Sequence, residues 1–147
     1  MTRVWFLPLL MLLLACREEQ PSVNAQWGSP EYIATEFFHA LYIENNLEKA
    51  KRLSTPKYAD LMESYGSVRQ VERTLINLSF DSVEIRVNRS GGNLREQYED
   101  QADIELLLTG QHNGKKVDEM RVVEMIQQNG NWVVQSVKID KFSSSAR

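Results

Sequence analysis

An imidazole or carboxylate held beside a phenol in apolar surroundings can move a proton at neutral pH, because such surroundings tune its pKa toward 7. In this chain the residues of those types that fall among apolar neighbours are His39 and Tyr42, Tyr65, and Glu124. At about 100° per residue, His39 lies roughly 160° around a helix from Phe37 and Leu41. That turns it away from the apolar stripe, with Tyr42 on the same side, and reads as a solvated or edge histidine. Glu124 shares its strand parity with Met120, Val122 and Ile126. That parity predicts an inward carboxylate whose pKa burial would raise. Arg86 is a candidate partner, whereas Arg121 has the opposite parity. The plainer reading of Glu124 is a β-bulge, an edge position or a structural ion pair. Phe38, Tyr42, Tyr65 and Trp132 are the aromatics able to line a pocket with it. Glu99, Asp100 and Asp103 form an acidic cluster at a strand start, with too few converging oxygens for calcium. No G-x-S-x-G, P-loop or dinucleotide fingerprint occurs. No catalytic constellation, cofactor or metal is therefore expected.

The chain has a single cysteine, Cys16, at the end of the apolar run Val4–Ala15, with Arg3 before it and charge directly after. About 20 apolar residues are needed to span a bilayer, so the run is too short for an ordinary anchor and has the build of a secretory signal. Leu13-Leu14-Ala15-Cys16 resembles the lipobox of bacterial lipoproteins. The resemblance implies cleavage between Ala15 and Cys16, a lipid on the thiol and acylation of the freed amine. Two or more chains anchor stably, at about 0.8 kcal/mol per buried methylene. Arg17 stands where some bacteria place the aspartate that retains lipoproteins in the inner membrane. By that sorting rule the outer membrane's periplasmic leaflet is expected, with the inner membrane as the alternative.

Cleavage would remove one charge, Arg3, and leave 16 basic and 20 acidic residues, a net of −4. No clustered Lys and Arg mark a nucleic-acid footprint. With no cysteine in the domain, stability must come from packing, and with only two histidines a structural zinc site is not expected. Residues 1–15 thus read as signal, 16–28 as a lipidated tether, 29–140 as one domain and 141–147 as a flexible tail. Trp27, the tether's one large apolar residue, is expected to tuck against the domain edge.

The domain opens with helix chemistry. Ser29 can cap, Pro30 suits the first helical position, and Ile33, Phe37 and Leu41 recur at helical spacing beside Phe38. Asn45 and Glu48 suggest a capping box for a second helix, Thr55-Pro56 starts a third, and a short helix runs from Ser67 to about Leu75. From Leu78 the apolar period becomes two. Ala102, Ile104, Leu106 and Leu108 share one face, while the last two strands are apolar on both parities. Ser90-Gly91-Gly92-Asn93, His112-Asn113-Gly114 and Asn129-Gly130 are the turns. The expected class is α+β: N-terminal helices packed on a curved antiparallel sheet of about four strands.

The helical run "EYIATEFFHALYIENNLEKAKRLST" and the closing "NGNWVVQSVKI" resemble the nuclear-transport-factor-2-like (cystatin-like) fold. Within it, the chain is similar to small bacterial lipoproteins with a lumazine-binding-like domain of unknown function. The resemblance implies a bent sheet that wraps the first helix into a cone, often with a ligand at its mouth. It also implies a sheet face that often makes a dimer. Some members are isomerases or dehydratases with an Asp or His base and a Tyr donor. The resulting expectation is a non-catalytic binding or assembly module of the cell envelope. It would be held to the membrane through Cys16 and present its sheet face to a second copy or an envelope protein. A binder of a small apolar or aromatic ligand in the cone, and then an enzyme, are the alternatives.

Overall fold

Helix α1 (Pro30–Tyr42) starts where local chemistry puts it: the Ser29 hydroxyl accepts from the Tyr32 backbone N–H at 3.2 Å, with Pro30 at the first position. The computed structural model describes residues 27–89 and 99–139. The signal run, Cys16, the turn at Ser90–Asn93 and the tail fall outside them. Among the described residues no helix is long and apolar enough to cross a membrane.

Helix α2 (Leu47–Arg52) is capped one residue later than the sequence suggests. Asn46 accepts from the Lys49 N–H at 2.9 Å, while Asn45 takes the left-handed conformation that turns the chain. Thr55 caps α3 (Pro56–Tyr65), and Gly66, at φ 76°, ends it. One turn of helix, α4 (Val68–Gln70), runs on as a π-helical segment over Val71–Ile76 that closes at Asn77, φ 53°.

Four strands follow: β1 (Ser82–Val87), β2 (Gln101–His112), β3 (Lys115–Gln128) and β4 (Asn131–Ile139). They form one antiparallel sheet in the order β1-β2-β3-β4, a meander. Asn113-Gly114 and Asn129-Gly130 join the last three, all four residues at positive φ. That is the geometry that matches the twist of the flanking strands. At Gly110 a Cβ would come within 2.1 Å of the Ser82 carbonyl oxygen and 2.7 Å of the Phe80 ring, so only glycine lets β1 close on β2 there.

Ala102, Ile104, Leu106 and Leu108 are buried, as their alternation predicts. On β3 the buried parity is Arg121, Val123 and Met125. Glu124 therefore points to the opposite face, contrary to the expected inward carboxylate. On β4 a bulge shifts the register between Glu124 and Met125, which face Ser136 and Val134 and leave Gln135 extra. Val134 and Val137 both reach the core despite their opposite parities. This is why β4 reads as apolar on both faces.

The core lies between α1 and the inner face of the sheet. Phe37, Phe38 and Leu41 meet Met62, Val71, Ile76, Leu106, Leu108, Val123, Met125 and Val134, all fully buried. Burial of each such side chain contributes about 1.5–3 kcal/mol. The free edge of β4 is engaged by the link between α2 and α3. The Thr55 N–H donates to Val134 O, and the Val134 N–H to Leu53 O, both at 2.8 Å.

Candidate functional site

The five residues expected to share a pocket do not converge. Phe38 is fully buried and stacks on Tyr42 at 5.8 Å. Tyr42 is half-buried, meets Phe80 edge-on, and donates its hydroxyl proton to Leu78 O at 2.8 Å. Both are packed interior. Tyr65 ends α3, half-buried, and Trp132 packs on the core from the start of β4. Glu124 lies across the sheet from all four. It is bound by the Ser136 hydroxyl and the Lys138 ammonium. The ion pair and the bulge are both real, but the cation is Lys138 rather than Arg86. Arg86 instead pairs with Glu84 at 2.6 Å. His39 is half-buried on α1.

A different group assembles on the inner side. Arg121 is 3% exposed, and its guanidinium is spent on fixed acceptors. Nε donates to Ile76 O at 3.2 Å, Nη2 to Asn77 O at 3.0 Å, and Nη1 to Met120 O at 2.8 Å and the Glu119 carboxylate at 3.3 Å. Two of these acceptors are carbonyls at the end of the π-helical segment, which has no further turn to satisfy them. The cation thus pins that segment to β3.

Glu72, on the same segment, is half-buried, and burial pushes its carboxyl up to about 7 against the pull of Arg69. Burial holds the Tyr42 phenol protonated far above its ordinary range, with Glu72 adding to the effect and Arg121 opposing it. The Tyr58 phenol, 5% exposed, is raised first by burial and also by Tyr65. The backbone of Val137 works the other way, and among the described residues the buried Tyr58 hydroxyl has no hydrogen-bond partner. Tyr42 thus has its proton committed to Leu78 O, whereas Tyr58 and the raised carboxyl of Glu72 are polar groups held on the inner side. Among the described residues no cluster of three or more His, Cys, Asp or Glu could hold a metal.

Of this group Tyr42 stood out in the sequence by type, and Arg121 only as a partner of the wrong parity for Glu124. Arg121 had a legible signal, a cation in the same parity as Val117, Val123 and Met125. Glu72 had none, because a π-helical register shifts which positions face inward.

The outer face of the sheet is built differently. Cross-strand rows run Arg86–Leu107–Met120, Glu105–Val122–Lys138, Asp103–Glu124–Ser136 and Gln101–Ile126–Val133. Leu107 is exposed, Met120, Val122, Ile126 and Val133 are half-buried, and none joins the core. Between them Lys138 pairs with Glu124 and Arg86 with Glu84, and the Asn88 amide donates to Glu105 at 2.9 Å. Burial and the neighbouring Glu124 push the Asp103 carboxyl up, against Lys138. Burial also presses Glu124 upward, but hydrogen bonds from Lys138 and Ser136 outweigh it and leave Glu124 below its ordinary value.

No family model, no curated protein and no solved structure matches this chain.

Proposed function

We propose that this chain is an envelope lipoprotein, acylated at Cys16 after cleavage behind Ala15. Its nuclear-transport-factor-2-like domain serves there as a non-catalytic binding module. The periplasmic leaflet of the outer membrane is its place. Helices that precede an antiparallel meander, with α1 laid against the sheet, support the fold reading. The binding surface is the outer sheet face, and its partner is an envelope protein. One observation carries this reading: Leu107, Met120, Val122, Ile126 and Val133 form an apolar field across three strands, outside the core, with Lys138 and Arg86 held in ion pairs by Glu124 and Glu84. Apolar side chains grouped on a face outside the core are what a protein-binding patch presents.

Photo-crosslinking in living cells tests it. A crosslinker placed at Leu107 or Val133 is expected to capture an envelope protein, and one at Lys57 on α3 is not. Equal capture at all three sites, or none at Leu107 and Val133, would overturn the reading.

The ligand-binding alternative has its own support in the Tyr58 hydroxyl, which has no hydrogen-bond partner among the described residues. Native mass spectrometry on protein extracted from its membrane should then show a bound small molecule that Tyr58→Phe and Glu72→Gln each release. An empty wild-type spectrum would sink that alternative.

A further inference from the structure

Trp27 meets the domain edge at Tyr32 yet stays open to solvent. It is 84% exposed, although its ring centroid lies 4.9 Å from that of Tyr32, tilted by 42°. The two rings form an aromatic pair at the very start of the domain, beside the first turn of α1. An indole and a phenol, each with an apolar body and one polar hydrogen, are the side chains that settle at a membrane–water interface.

Position and charge say which surface this pair meets. Ten residues, 17–26, separate Cys16 from Trp27. Fully extended, that connection reaches about 40 Å at most. With acyl chains on Cys16, the start of α1 is the part of the domain closest to the anchor along the chain. Tethering raises its effective concentration there, so even a weak contact is populated. The charges around the pair do not suit an anionic surface. Lys49, the cation that bears on the Tyr32 phenol, is held by Glu36 at 2.8 Å and Glu44 at 2.6 Å. Among the described residues around the pair no basic cluster is left to attract acidic lipid.

We infer that Trp27 and Tyr32 form a contact site for a zwitterionic lipid headgroup layer, which seats the domain on the membrane that holds its anchor. This inference rests on the reading of Cys16 as the lipid attachment point.

The test uses the full-length acylated protein in phosphatidylcholine vesicles that carry a nitroxide at headgroup depth. Flotation reads the anchor, and tryptophan quenching reads the contact. After signal cleavage the other tryptophan is Trp132, so the difference between wild type and Trp27→Ser isolates Trp27, while Trp132 reports an intact fold. The expected result is flotation, with Trp27 emission moved to shorter wavelength and quenched several-fold more than Trp132. Flotation with unchanged Trp27 emission overturns the contact and leaves the anchor standing. Failure to float overturns the anchor and, with it, the contact. A shift that requires added phosphatidylglycerol overturns the zwitterionic assignment. Shielding of Trp27 in native envelope fragments but not in vesicles overturns it in favour of a protein neighbour.

Discussion

The two faces of one sheet handle charge in opposite ways. On the inner face Arg121 is buried and bound to the fixed carbonyls of Ile76, Asn77 and Met120. On the outer face Lys138 is exposed and pairs with a side-chain carboxylate, Glu124, which the Ser136 hydroxyl also binds. The carboxyls differ as well: Glu72, on the inner side, is raised toward neutrality, while Glu124 is lowered. Burial alone presses both upward, so the difference lies in partners. Glu124 has a cation and a hydroxyl, whereas against the burial of Glu72 stands the charge of Arg69. An interior charge is tolerable where the backbone has already fixed its acceptors, and a surface charge needs no such provision.

Paired substitutions on the two faces would sharpen or break this contrast. The largest difference is expected between Phe38→Ala and Leu107→Ala. The first opens a cavity beneath α1 and should cost about 3–5 kcal/mol. The second, at an exposed site, should stay within about 0.5 kcal/mol. Urea unfolding followed by circular dichroism compares them directly, and similar midpoints would mean that the sheet buries both faces.

Next comes Arg121→Met against Lys138→Met. Loss of the guanidinium strands the carbonyls at the end of the π-helical segment and should cost about 2–3 kcal/mol. Faster amide exchange around Ile76–Leu78 should accompany it, whereas Lys138→Met should leave exchange and midpoint nearly unchanged.

The smallest effect carries a sign. Between about 4.5 and 7 the folded Glu72 keeps a proton that the unfolded chain has lost, so stability falls as pH rises through that window and then levels. Glu72→Gln should abolish the slope. The variant should match wild type at pH 4 and exceed it by about 1 kcal/mol at pH 8, the nominal shift being reduced for the solvent-facing half of the side chain. Glu124 works in reverse. Its contribution is present above its unfolded value and is lost as pH falls through its lower folded value, so Glu124→Gln should flatten only the acid limb. Denaturant midpoints measured across pH decide both, and slopes of the same sign would contradict the contrast.

Much of the fold was legible because its signals are local. Ser29-Pro30 and Thr55-Pro56 start helices through hydroxyl caps and a preset φ, and Asn113-Gly114 and Asn129-Gly130 turn hairpins because both residues tolerate positive φ. The inward row on β2 follows from a period of two with no interruption. The candidate site was less legible. Tyr42 and Tyr65 were visible by type, but Tyr58 and Glu72 gain meaning only from burial and from missing partners, which are properties of the whole packing. Glu124 was misplaced because an inward parity was assigned to β3 from its apolar residues, and both parities there are apolar.

The sequence by itself determined that helices start at Ser29-Pro30 and Thr55-Pro56 and hairpins turn at Asn113-Gly114 and Asn129-Gly130, that the first half is helical and the second half strands, and that Phe37, Phe38 and Leu41 face a core. Those outcomes depend on caps, turns and periodicity within a few residues of each position. Only the tertiary structure decided the bulge at Gln135, the π-helical turn at Val71–Ile76 and the inward course of Arg121. Each of these is a compromise between elements far apart in the chain. The bulge lets Val134 meet the link between α2 and α3 while Val137 stays in the core. The guanidinium of β3 satisfies the carbonyls that the π-helical segment leaves open.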